Sequence, residues 1–114
     1  MSDQADNLAA RLAPYRETPG VIAALLISHD GFIVAADAEA GFDADAVAAQ
    51  VAGAIDMGSR LAGELGQTAA KYISLEFDEV NVVLAPFGDE LMLALVGASS
   101  TLICEYRLNN AAIV

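Results

Sequence analysis

The sequence predicts an α+β domain, a three-layer α/β/α sandwich with its elements in the order α-β-β-α-β-β-β-α. Three observations predict it. Val21–Ser28 (VIAALLIS) is apolar on both faces, as in a strand covered on both sides. A long stretch after Asp43 carries apolar residues at helical spacing. Three more apolar segments follow, joined by turns too short for anything but an antiparallel meander. Strands with two apolar faces require helices on both sides of the sheet.

The elements read off in order. Residues 1–7 are polar and are expected to fray. Leu8, Ala9, Leu12 and Ala13 then give a helix that stops near Tyr15 or Arg16, with Pro14 marginal and Pro19 beyond its end. After Val21–Ser28 comes His29-Asp30-Gly31 and a second strand, Phe32–Asp37. Asp-Gly between two apolar runs is a strong hairpin signal, because both residues tolerate positive φ. Asp43 or Asp45 caps the long helix, which runs to about Leu65 and stops at Gly66.

One face of that helix carries Val47, Val51, Ile55, Gly58, Leu61 (or Ala62) and Leu65, and is expected to pack on the sheet. The opposite face carries Ala49, Gly53, Asp56, Met57, Arg60 and Glu64. Gly53, Gly58 and Gly63 each cost roughly 1 kcal/mol relative to alanine in a helix interior, so close backbone approach is expected somewhere along it. The next strand is Thr68–Phe77, in which Lys71, Ile73, Leu75 and Phe77 alternate with Tyr72, Ser74 and Glu76. Asp78-Glu79 turns into Val80–Ala85, and Gly88-Asp89 turns into Glu90–Gly97. Ser99 or Ser100 then caps a short last helix through Leu102, Ile103 and Tyr106.

Length and composition bound the function. One hundred and fourteen residues make one domain, 1–114. A hydrophobic content of 56% excludes disorder, and 24 alanines make the core one of small side chains. The longest aliphatic run, Val21–Ile27, is far short of the roughly 20 residues a spanning helix needs, so no membrane insertion is expected. No basic segment precedes an apolar one as in a secretory signal, and the chain reads as cytoplasmic. A net charge of −11 makes nucleic acid a poor partner and favours a protein with a neutral or basic face.

Catalytic chemistry is sparsely supplied. There is one histidine, His29, and one cysteine, Cys104. They build neither a disulfide nor a usual zinc site, and no Gly-rich phosphate loop ends in Lys-Ser/Thr. His29 lies in a turn, Cys104 reads as a small buried hydrophobe, and the paired carboxylates fall at turns and caps. No catalytic residue, metal or cofactor is assigned. Arg60 has two readings: an arginine finger into a GTPase site, or an i,i+4 partner of Asp56 and Glu64, which the spacing favours. Met57 is an adaptable contact residue or a dimer-core filler.

The hairpin G-V-x-x-A-x-x-x-S-x-D-G-x-x-x-A (Gly20 to Ala35), the long small-residue helix and the meander Tyr72–Gly97 together resemble the Roadblock family. That family comprises dynein light-chain roadblock subunits and bacterial gliding-motility (MglB-type) regulators. The likeness covers about residues 5–108. It implies a five-stranded antiparallel sheet with the long helix on one face and the terminal helices on the other. It also implies a homodimer in which the third strand, Lys71, Tyr72, Ile73, Ser74 and Leu75 at its centre, pairs with its mate. Proline at Ile73 should then break the dimer. The partner implied is a Ras-like small GTPase, bound through Ala49, Gly53, Asp56, Met57, Arg60 and Glu64.

Two further function classes stand beside this GTPase-regulating module. One is a structural adaptor in a multiprotein complex, without effect on nucleotide turnover. The other is a small-molecule sensor or enzyme, against which the Ala-rich core with few convergent polar groups argues.

Overall fold

The computed structural model describes the backbone of residues 2–88 and 90–98 and the side chains from Leu8 onward within that range. The expected last helix (Ser99 or Ser100 through Leu102, Ile103 and Tyr106), together with Asp89, Cys104 and Asn109–Val114, lies outside the described residues. The elements are α1 (Ser2–Arg16), β1 (Val21–Ser28), β2 (Ile33–Ala38), α2 (Ala44–Glu64), β3 (Ile73–Glu76), β4 (Val80–Phe87) and β5 (Leu91–Ala98). They form one antiparallel five-stranded sheet in the order β2-β1-β5-β4-β3.

The two faces of the sheet hold separate cores, as period-two alternation requires. Ala24, Leu26, Val83, Ala85, Leu93 and Leu95 pack with Leu12 of α1 on one face. Leu25, Ile27, Leu84 and Ala94 pack with Ala48 and Val51 of α2 on the other. Adjacent residues Leu25 and Leu26 are thus both fully buried, in opposite directions. The Arg16 guanidinium ties the end of α1 to the sheet, donating to the Val21 carbonyl at 2.9 Å. Its Nε, 3.5 Å from Asp37 Oδ1, makes an electrostatic contact rather than a hydrogen bond.

Local chemistry explains the boundaries. Asp43 is the N-cap of α2, its carboxylate accepting from the Ala46 amide at 3.1 Å. The helix ends where Gly66 takes φ +72° and the Gln67 amide donates back to the Ala62 carbonyl at 2.7 Å, a Schellman closure. In the β1–β2 hairpin Gly31 sits at φ +90°, and the Ser28 amide donates to the Phe32 carbonyl at 2.9 Å. A bulge follows: Leu26 faces Ala35 and Ile27 faces Ile33, leaving Val34 of β2 unmatched.

Three expectations change. The backbone of residues 2–7 is helical rather than frayed and forms the start of α1. The strand expected over Thr68–Phe77 is only Ile73–Glu76, so Lys71 and Tyr72 precede it. Proline explains the loss. The Phe77 amide donates to the Val80 carbonyl, so directly bonded pairs alternate through 75/82 and 73/84. The next would need an amide donor at residue 86, which is Pro86. Finally, Leu65, expected to pack on the sheet, is 67% exposed, and so, at 59%, is Leu61, one of the two alternatives (Leu61 or Ala62) expected there. Ala62 is buried in place of Leu61. Leu61 and Leu65 instead border a groove shared with Ala69, Ala70 and Ile73.

Candidate functional site

The expected partner-binding residues come from one 21-residue helix and do lie on its outer side. Ala49, Gly53, Asp56, Met57, Arg60 and Glu64 are all exposed. Arg60 Nη2 lies 3.0 Å from Asp56 Oδ2, the i,i+4 pair that the spacing favoured. Between two exposed side chains this is worth a few tenths of a kcal/mol at most. Glycine has two separate uses along α2. Gly58 meets the sheet, where a Cβ would lie 3.1 Å from Ile73 Cδ1. Gly53 and Gly63 face open space within the protomer.

Met57 does not stand with the polar residues. Met57, Leu61 and Leu65 recur every four residues along the flank of α2 nearest β3. With Gly58, Ile73 and Leu75 they line an open groove of about 460 Å³. A second groove of about 300 Å³ lies further along the same seam and includes Val47, Leu75 and Phe77. Leu75 and Phe77 are themselves exposed. The seam is therefore a continuous apolar strip between the helix and the sheet edge, of the kind that marks an interaction surface.

The expected dimer-strand residues split by position. Ile73, Ser74 and Leu75 belong to β3, an outer strand of the sheet, while Lys71 and Tyr72 lie in the exposed approach to it. Ile73, Leu75 and Phe77 face α2. Ser74 faces the other way, and its Oγ is buried without a hydrogen-bond partner among the described residues. Leu61, Leu65 and Phe77 are the surface residues that pattern reading missed. Their available signal was length: a 21-residue helix spans about 31 Å, more than a short edge strand can cover.

On the opposite flank of α2, His29, Asp56 and Ser59 border one hollow of about 180 Å³. These are the residue types of a nucleophile, base and orienter, which act through mutual hydrogen bonds. Among the described residues none joins them, and Asp56 is engaged by Arg60. No group of three or more His, Cys, Asp or Glu side chains that could hold a metal occurs among the described residues. No helix among them is long and apolar enough to cross a membrane.

Comparison with known proteins agrees with this architecture. The backbone resembles Myxococcus xanthus MglB with a TM-score of 0.81 at 14% identity, over 94% of this chain and 83% of that one. A Roadblock/LC7 domain from Streptomyces avermitilis matches with a TM-score of 0.71 at 19% identity, over 93% and 97% of the two chains. The gliding protein MglB from Thermus thermophilus gives 0.70 at 22% identity, over 84% and 72%. No curated protein sequence matches. The sequence itself matches the Roadblock/LC7 domain over residues 9–97, from α1 through β5. With the sheet, the two helix layers and the sequence in agreement, the chain belongs to the Roadblock/LC7 domain family.

Proposed function

We propose that this chain is a non-catalytic, cytoplasmic, homodimeric module that binds and regulates a Ras-like small GTPase. The observation that carries the dimer is the apolar strip of Met57, Leu61, Leu65, Leu75 and Phe77 beside the outer edge of β3. A free strand edge flanked by exposed leucine and phenylalanine is an aggregation hazard in a monomer and an interface in a dimer. Pairing two β3 edges brings two α2 helices side by side above one sheet. Their joined outer surface of small residues, Asp56, Arg60 and Glu64 is where the GTPase docks. Met57, on the shoulder between strip and outer face, contributes to both surfaces.

The GTPase assignment follows from family membership and from an outer helix face with shape and charge but little need of burial. Regulation then works by ordering the partner's switch loops rather than by donating a side chain. The test measures GTP turnover by a candidate Ras-like GTPase with and without this protein, alongside its sedimentation mass. Stimulated or inhibited turnover with a dimer mass supports the reading. Tight binding with unchanged turnover favours the adaptor reading instead.

A further inference from the structure

We propose that the hollow beneath the C-terminal half of α2 binds a small uncharged aromatic molecule carrying one N–H or O–H group, of the indole or phenol class. Its mouth lies on the flank of α2 away from the apolar strip, and the proposal is independent of the dimer and GTPase readings.

The packing of the helix on the sheet supplies the first argument. Toward the start of α2, Ala48 and Val51 are buried against Leu25, Ile27 and Ala94. Beyond Val51 that seal loosens. Ile55, Ile73, Leu91 and Met92 are each only half-buried, around a hollow of about 180 Å³ floored by the buried Leu84. The side chains that would otherwise fill it are short: Ser59 on the helix, and Ala69 and Ala70 in the loop that follows. The hollow that holds Asp56 adjoins it, sharing His29, Ile55, Ser59 and Met92. Apolar walls that face a gap lose the dispersion contacts of a packed core. Such a space takes an aromatic guest more readily than it orders water.

The lining sets the class of guest. Ile55, Ile73 and Leu84 give an apolar body its contacts. The thioether of Met92, common to both hollows, favours a ring over an aliphatic chain. Polar groups stand together at the mouth, the His29 imidazole from the β1–β2 hairpin and the Ser59 hydroxyl from α2. Neither side chain makes a hydrogen bond among the described residues, so both are available to a single N–H or O–H of the ligand. Charged guests fit poorly. Among the described residues no Lys or Arg lines either hollow, so an anion would find no counter-charge in a chain of net charge −11. The carboxylate that does reach the outer hollow, Asp56, is paired with Arg60 at 3.0 Å, which leaves no unopposed charge to hold a cation. Volume limits the guest to one or two rings, well below the size of a drug-like ligand.

Methionine reports the site without any substitution. Of three methionines in the chain, Met92 lines the hollow and Met57 lines the groove of the apolar strip. The full-length protein is prepared with methyl-labelled methionine, and NMR follows the methyl signals as indole is added to about 2 mM. A guest of this size is expected to bind with a Kd on the order of 0.1–1 mM. The Met92 methyl should shift saturably while Met57 stays in place. Indole-3-acetate and tryptamine, the same ring with an anionic or a cationic arm, should bind about tenfold more weakly or worse. Ser59→Leu, which fills the mouth, should abolish the Met92 response at a melting temperature near that of the parent. If that variant does not fold, Ala70→Leu narrows the hollow from the loop and should do the same. A Met92 methyl that does not shift saturably overturns the site, and so does a saturating shift at Met57 alone. Undiminished binding to the folded filled variant also overturns it. Equal or tighter binding of either charged analogue overturns the uncharged class.

Discussion

Arg60 illustrates how little a surface side chain contributes to this fold and how much it can matter to a partner. Its guanidinium is exposed and pairs with Asp56. Arg60→Ala should leave the denaturant midpoint within about 0.5 kcal/mol of the parent. It should weaken binding of the GTPase, as titration of the labelled partner would show. If binding persisted while stimulated hydrolysis fell about 10³-fold, Arg60 would be a finger and not a contact. Leu25→Ala should behave oppositely, costing about 2–5 kcal/mol by leaving a cavity where no solvent reaches. Ile55, only half-buried, should cost less than Leu25 in the same urea titration. Residue chemistry was legible in the sequence where it is local: the Asp43 cap, the Gly66 stop and the Asp56–Arg60 pair each need only neighbours in the chain. Leu61 and Leu65 were not, because helical spacing says which side a residue occupies and not whether a strand lies beneath it.

Among the elements, β1 was read with its observed bounds because its signal, an aliphatic run ended by a turn, is complete within itself. β3 was read too long because its start is set by Pro86, a residue on the neighbouring strand. The same ladder corrects the expected effect of proline. Ile73 points its amide at Leu84, so Ile73→Pro removes a bond inside the protomer and should lower thermal stability as well as dimerisation. Ser74→Pro leaves the backbone hydrogen bonds between β3 and β4 in place. It should keep a melting temperature near that of the parent at matched monomer concentration, while sedimentation shifts toward the monomer.

For the whole molecule, net charge gives association a sign. Each chain carries −11, so two copies repel each other at long range, and added salt screens that repulsion. Dimerisation should therefore tighten between about 20 and 200 mM salt. A partner with a basic face is attracted over the same distances, and its association should slow over the same range. Opposite salt slopes in two measurements on one protein would be hard to obtain from nonspecific apolar association. The three-layer architecture was legible at this scale because two apolar faces on one strand leave few alternatives. The strand order was not, since the return of β5 to pair with β1 depends on contacts distant in sequence.

An open sheet has two ends, and a chain that offers both would add copies without limit into a filament. Here the ends are unequal. β3 ends in a straight run of outward backbone groups, whereas the opposite margin, β2, carries the unmatched Val34, which bends the strand and breaks the regular spacing another strand would need. In the proposed β3-paired dimer, growth would then end at two copies. Deleting Val34 would bring Ala35 and Ile33 into consecutive register with Leu26 and Ile27, leaving a straight second margin. The deletion variant should form concentration-dependent elongated polymers, visible by light scattering and negative-stain microscopy, where the parent stays discrete. A single spare residue, Val34, would be what keeps the proposed assembly finite.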